Sequence, residues 1–393
     1  MSTSTASALQ TDTPGAQGWL YSRDWDLTFI TLSVVLVSLP YLVYLGLVEM
    51  APLLEPLAAS LSTTVDDLSR NIVNAAVALL VGGPHMYATF SRTAFNRDYV
   101  QKHRFMIWTS LLIPVIVVTL ALSWLQLLLT VFFFWASIHV LHQIVYITEL
   151  YNHKQPVGLT KFSRFADYAV ILTALYPLAA WKISINAFAI GQNNISEVVG
   201  RILSFFGLSL GPWMIWLAGG AFAIALVLWI VKTVMEWRQG TLHGPKTLFI
   251  ALTVIASFFV PALGNLDTAF QGMNVWHSLQ YLALTWMLNN LRMRHGEMED
   301  KPFLKRISED GSARRYYLFN VGLTVADVML AGVIFFILTS VTGKGFDYAF
   351  DRSYYIAILS FLWMHYYHDH FLFTEPEVIE IQPLPQPALS RSA

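Results

Sequence analysis

The chain has 393 residues, 55% hydrophobic and only 12% charged, about half the charged fraction of a soluble domain. A formal net charge of -1 provides no basic face, so no nucleic-acid partner is expected. With no cysteine, disulfides, thiolate-held haem or zinc, and cysteine-ligated iron–sulfur clusters are excluded.

The expected fold class is all-α, a polytopic integral membrane protein of about ten transmembrane helices with both termini cytoplasmic. Residues 1–26 read as a polar N-terminal tail without the basic start of a secretory signal. Runs of roughly 20 mostly apolar residues then predict spans at 27–49, 71–91, 105–122, 125–150, 167–189, 213–235, 247–263, 270–291, 317–342 and 354–374. Together they form one transmembrane domain over 27–374, followed by a Pro-rich tail at 375–393. Ser123-Trp124 alone separates the third span from the fourth, which predicts a tight antiparallel hairpin. The loops after odd-numbered spans carry few cations (Arg70, Arg201, Lys344 and Arg352, with Lys182 nearby). The other loops and the tails carry the rest, and this asymmetry sets the expected orientation. Compact loops and the missing signal point to a bacterial inner membrane.

Polar residues then punctuate five of the spans. The second contains Gly82-Gly83-Pro84-His85, with Thr89 and Arg92 on the face of His85; Arg92, Arg97 and Arg104 are assigned to topology. In the fourth, His139, His142, Tyr146 and Glu149 lie within about 80° of one another on a helix. The eighth places Asn274, His277 and Tyr281 on one face, with Gln280 beside it. The tenth ends in His365, His368 and Asp369 on one face, with His370 directed elsewhere. Asp327, in the ninth, is an isolated carboxylate whose partner the sequence does not reveal.

Seven of the 11 histidines thus fall inside predicted spans that all run in the same direction. Intramembrane ionisable residues are costly and face a protein interior, and neutral imidazole is the commonest protein metal ligand. The pattern predicts a metal centre between helices, held by His85, His139, His142, His277, His365, His368 and Asp369. Tyr146, Glu149 and Tyr281 are the expected catalytic groups. The competing reading is a polar helix seam of satisfied histidines. Without cysteine the donor set suits iron, copper, zinc or manganese; iron(II), mono- or dinuclear, is expected ahead of haem, copper or zinc.

Pro84-His85-Met86, Ile138-His139, His277-Ser278 and the cluster from His365 to His370 follow one another in an order that resembles the Brp/Blh family. Its members are all-helical membrane dioxygenases that cleave β-carotene at histidine-held iron. The resemblance implies His85, His139, His277 and His365 or His368 as iron ligands. The function expected from all this is a membrane oxidoreductase or oxygenase using O2 on a lipophilic substrate: a carotenoid, another isoprenoid or a fatty acyl chain from the bilayer. An external electron donor is needed where the chemistry is not dioxygenation. The alternatives are a membrane haem protein and a proton-coupled transporter.

Overall fold

The computed structural model describes residues 18–374 apart from 62, 155–158, 191–192, 295 and 310–312. The C-terminal tail and most of the N-terminal one lie outside the described residues. In chain order the principal helices are α1 (Arg23–Glu49), α2 (Val65–Arg92), α3 (Arg104–Ser123), α4 (Leu125–Lys154), α5 (Lys161–Thr173), α6 (Tyr176–Ser184), α7 (Trp213–Gln239), α8 (Gly244–Ala262), α9 (Leu266–Arg294), α10 (Ala313–Thr342) and α11 (Phe346–Thr374). Between the described helices the single sheet is a two-residue pairing of Ala189–Ile190 with Asn193–Asn194. The fold is all-α.

Among the described residues seven helices are long and apolar enough to cross a membrane: α1, α2, α3, α4, α7, α8 and α10. The remaining three expected spans take other forms. The stretch 167–189 breaks into α5 and α6 just before Pro177, whose ring removes a helical N–H. Helices α9 and α11 have 29 residues each, about 43 Å of helix against a hydrocarbon layer of about 30 Å. They fall outside the apolar seven because they carry the polar residues of the site.

Local chemistry sets where the helices begin. Thr64 caps α2 by accepting from the Asp67 N–H at 3.0 Å, and Thr160 caps α5 by accepting from Ser163 at 3.0 Å. Residues 20–26 are docked rather than tail-like. Asp26 accepts the Leu20 and Tyr21 N–H groups at 2.6 and 3.1 Å and the Tyr151 hydroxyl of α4 at 3.0 Å. The next turn of α1 widens to π geometry over Asp26–Thr31, and the Ile30 carbonyl accepts the Gln280 amide of α9 at 2.6 Å.

Two close approaches draw the helices around the site. A Cβ at Gly272 would collide with the Val37 carbonyl, so glycine is what lets α9 cross α1 at backbone contact. A Cβ at Gly83 would meet Thr324 of α10. Helices α2, α4, α9 and α11 pack on one another, and two apolar cores flank them: one around Ile30, Leu141, Trp276 and Leu284, the other around Met86, Val117, Leu128 and Trp363. A buried ion network clamps α5, α7 and α8 to α4. Asp167 pairs with Lys232 and Lys246, each at 3.0 Å; Lys232 also meets Glu236 at 2.9 Å, and Lys246 donates to Asn152 at 2.8 Å. Two ammonium groups against two carboxylates leave no net charge buried.

Candidate metal centre

Four imidazoles converge, one from each of four helices: His85 (α2), His139 (α4), His277 (α9) and His365 (α11). His85 neighbours His277 and His365 at ring-centroid distances of 4.9 and 4.8 Å, and His139 neighbours the same two at 4.9 and 4.8 Å. The diagonal between His277 and His365 is 6.4 Å. All four are buried, none more than 4% exposed. The rings close a four-membered circuit.

The local sequence aims these rings. Helix α2 passes through a π turn over Ala78–Gly82 just before Gly83-Pro84-His85. A widened turn accommodates the N–H that Pro84 lacks and rotates His85 toward α9 and α11. Tyr366 stacks on His139 at 4.2 Å and backs it from α11.

Hydrogen bonds fix which nitrogen His85 and His365 present. Ser278 donates its hydroxyl to Asn274 at 3.1 Å, so at 2.8 Å from His85 Nδ1 it accepts that N–H. Thr89 donates to Asp369 Oδ1 at 2.9 Å and accepts from His365 Nδ1 in the same way. Both arrangements turn a bare Nε2 inward, the outer-shell device that orients metal-ligating histidines. Tyr281 donates to the same Asp369 oxygen at 2.6 Å.

Buried donor atoms are left without hydrogen-bond partners: Nε2 of His85, His139 and His365, both ring nitrogens of His277, and Asp369 Oδ2. Each unmade bond costs about 1–3 kcal/mol. One cation would satisfy most of them together. Donor atoms of His85, His277 and His365 lie within 4.8 Å of one another, as do those of His139, His365 and Asp369. Metal–nitrogen bonds near 2.1 Å hold ligand atoms up to about 4.2 Å apart, so shifts of tenths of an ångström would close the shell. The residues present fit a metal ion.

Not every expected site residue joins this group. His142 lies beside His370, ring centroids 5.5 Å apart, on a partly exposed flank of the bundle. His368 accepts no place in the circuit either: its Nδ1 pairs with Thr93 at 3.0 Å and its ring meets Phe90. The reason is helical geometry. An i, i+3 step turns the side chain 60° away and lifts it about 4.5 Å, whereas i, i+7 returns to within about 20°. Hence His139 aligns with buried Tyr146, and His142 with half-buried Glu149. Glu149 belongs to a separate polar cluster, with Asn152 at 2.7 Å, Arg164 at 3.3 Å, and Tyr168. Tyr146 stacks on Phe373 at 4.8 Å. Tyr281 is in the site, its ring 5.3 Å from His365. Asp327 lies against Tyr87 of α2, outside the centre.

Arg92, expected to serve topology, is fully buried and faces Tyr146, Tyr281 and Asp369. It sits seven residues after His85, on the face already noted in the sequence, where its position beside His85 outweighs its place near the helix end. Ser278 and Thr89 also do more than their sequence positions announce.

No family model matches the chain, and neither the curated proteins nor the solved structures give a significant match.

Proposed function

We propose that this chain is an integral membrane oxidoreductase in which His85, His139, His277 and His365 hold a single non-haem iron(II). The observation that carries the reading is the convergence of four imidazoles from four helices with their inward nitrogens unpartnered. Imidazole suits iron, as it does zinc, copper and nickel, and of these iron(II) is the one that reacts readily with O2. Ring centroids under 5 Å apart favour a bare ion over a porphyrin, which would have to pass between the rings.

When bound, iron(II) would supply the one-electron chemistry that allows O2 to react with a closed-shell hydrocarbon. The protein's own groups do the rest. Four neutral ligands leave coordination positions open. Asp369 takes hydrogen bonds from Tyr281 and Thr89, which hold their protons at hydroxyl oxygens beside His365. Arg92 places a fixed positive charge behind that carboxylate. Packed apolar helices keep water from the reacting atoms.

A lipophilic substrate is supported by a cavity of about 430 Å³ between α4, α6, α7 and α9, within the range of small-molecule sites. Its walls are almost wholly apolar, including Phe133, Phe188, Leu217, Phe270 and Met273. Met273 stands one turn before His277, and Ser137 half a turn before His139, so the cavity abuts the layer of the rings. Leu217, 67% exposed on α7, marks the side open to lipid. An isoprenoid, a carotenoid or a fatty acyl chain would enter laterally; the bilayer supplies it and an external donor supplies electrons where they are needed.

The test is elemental analysis and an optical spectrum of detergent-purified protein. About one iron per chain without a Soret band is expected, lost in His139→Ala and kept in His368→Ala. A Soret band, zinc as the sole metal, or no metal after purification free of chelator would each refute the reading.

A further inference from the structure

We propose that His142 and His370 form an entry site for the metal ion, a two-imidazole station from which it passes to the four-histidine centre. This rests on the reading of that centre as a metal site. The centre is closed: its rings are at most 4% exposed and packed apolar helices surround them. A divalent cation crosses such packing only along a path that replaces its hydration shell with ligands.

The His142–His370 pair has the position such a path requires. The two rings are 5.5 Å apart, close to the 4.8–4.9 Å spacing inside the centre. His370 is exposed and His142 half-buried. Each belongs to a helix that also supplies a ligand. His142 follows His139 by one turn of α4, and His370 follows His365 on α11.

Their depth in the bilayer fits as well. Helix α4 begins at Leu125, next to Trp124, an aromatic suited to the membrane boundary. At 1.5 Å per residue His142 lies about 26 Å further along, near the far edge of a hydrocarbon layer of about 30 Å. Water and hydrated ions reach that level, and His139 is about 4.5 Å deeper.

Phe373 stands between the two places. Its ring is 5.3 Å from His142 and 6.0 Å from His139, and it also stacks on Tyr146. Rotation of this one ring would open the way. The transfer is ligand exchange: waters leave the ion as imidazole nitrogens replace them, first two and then four. The charge on the ion does not change, and no redox partner is required.

Loading kinetics test the idea. Chelator-stripped full-length protein in detergent is mixed with Co2+, and its ligand-field absorption is followed in time. In a His142→Ala/His370→Ala variant the rate should fall about tenfold while the final stoichiometry stays that of the parent. His142→Gln/His370→Gln, which keeps polar groups of similar size, should load equally slowly and so guards against misfolding. Phe373→Ala should load faster. Loading of the double variants at the parental rate would overturn the proposal. So would a loss of final stoichiometry matching His139→Ala, because the pair would then be permanent ligands. If the parent protein takes up no ion, the metal-centre reading fails first and the entry site with it.

Discussion

Ser278 and Thr89 show how a single hydroxyl can determine a metal site. Each donates its O–H to a neighbouring acceptor, Asn274 or Asp369, and therefore accepts a hydrogen bond from an imidazole N–H. The tautomer follows, and with it the nitrogen turned toward the ion. Ser278→Ala removes the side-chain partner of His85 Nδ1, and affinity for the metal is expected to fall about 10-fold. Competition with a coloured chelator would measure this, and a change smaller than twofold would refute the role. Residue-level legibility was uneven. Of the positions that the resemblance implies, His85, His139 and His277 meet in space, and between the alternatives His365 and His368 it is His365 that joins them. His142 and His368 were drawn in by their i, i+3 spacing, which shares a stripe on a helical wheel but diverges in rotation and rise. Arg92 was missed because charge sorting treats every arginine near a helix end as a topological signal. Only the fold brings Tyr146, Tyr281 and Asp369 to its side.

At the scale of helices, hydropathy finds seven elements long and apolar enough to cross a membrane and loses sharpness where polar residues intrude. Helices α9 and α11 are diluted by Asn274, His277, Gln280, His365, His368 and Asp369, and the stretch at 167–189 divides at Pro177. What no hydropathy plot contains is the crossing of α9 over α1. Gly272→Ala would drive a Cβ into the Val37 carbonyl, and overpacking of this kind costs about 1–3 kcal/mol. Its thermal unfolding midpoint in detergent should fall clearly below the parent's. Gly322 on α10 is the control, since a Cβ there meets nothing within 4 Å. Gly322→Ala should be neutral or stabilising by up to about 1 kcal/mol. Equal midpoints for the two variants would contradict the close-crossing argument.

For the molecule as a whole, the four histidines sit where α2, α4, α9 and α11 already hydrogen-bond to one another, through Thr93–His368, Gln143–Gln280 and Asn289–Ser91 among others. An ion bound there at 1,000 times its dissociation constant would add about 4 kcal/mol to folding stability. Chelation should therefore lower the unfolding temperature of the parent and leave His139→Ala unchanged, a difference readable by scanning calorimetry. An identical chelator effect on both proteins would show that the stabilising ion sits elsewhere. The order in which the ligands are synthesised adds a constraint of its own. Thr89 and His365 hydrogen-bond across 276 residues of chain. At about 5–20 residues per second a ribosome takes roughly 15–55 s to make that stretch. During this interval α2 has been made while the helix that would complete the proposed coordination shell of His85 does not yet exist. On the proposed reading the centre would form only once α11 is made, and a chain stalled before α11 emerges would be a bundle with nowhere to keep a metal.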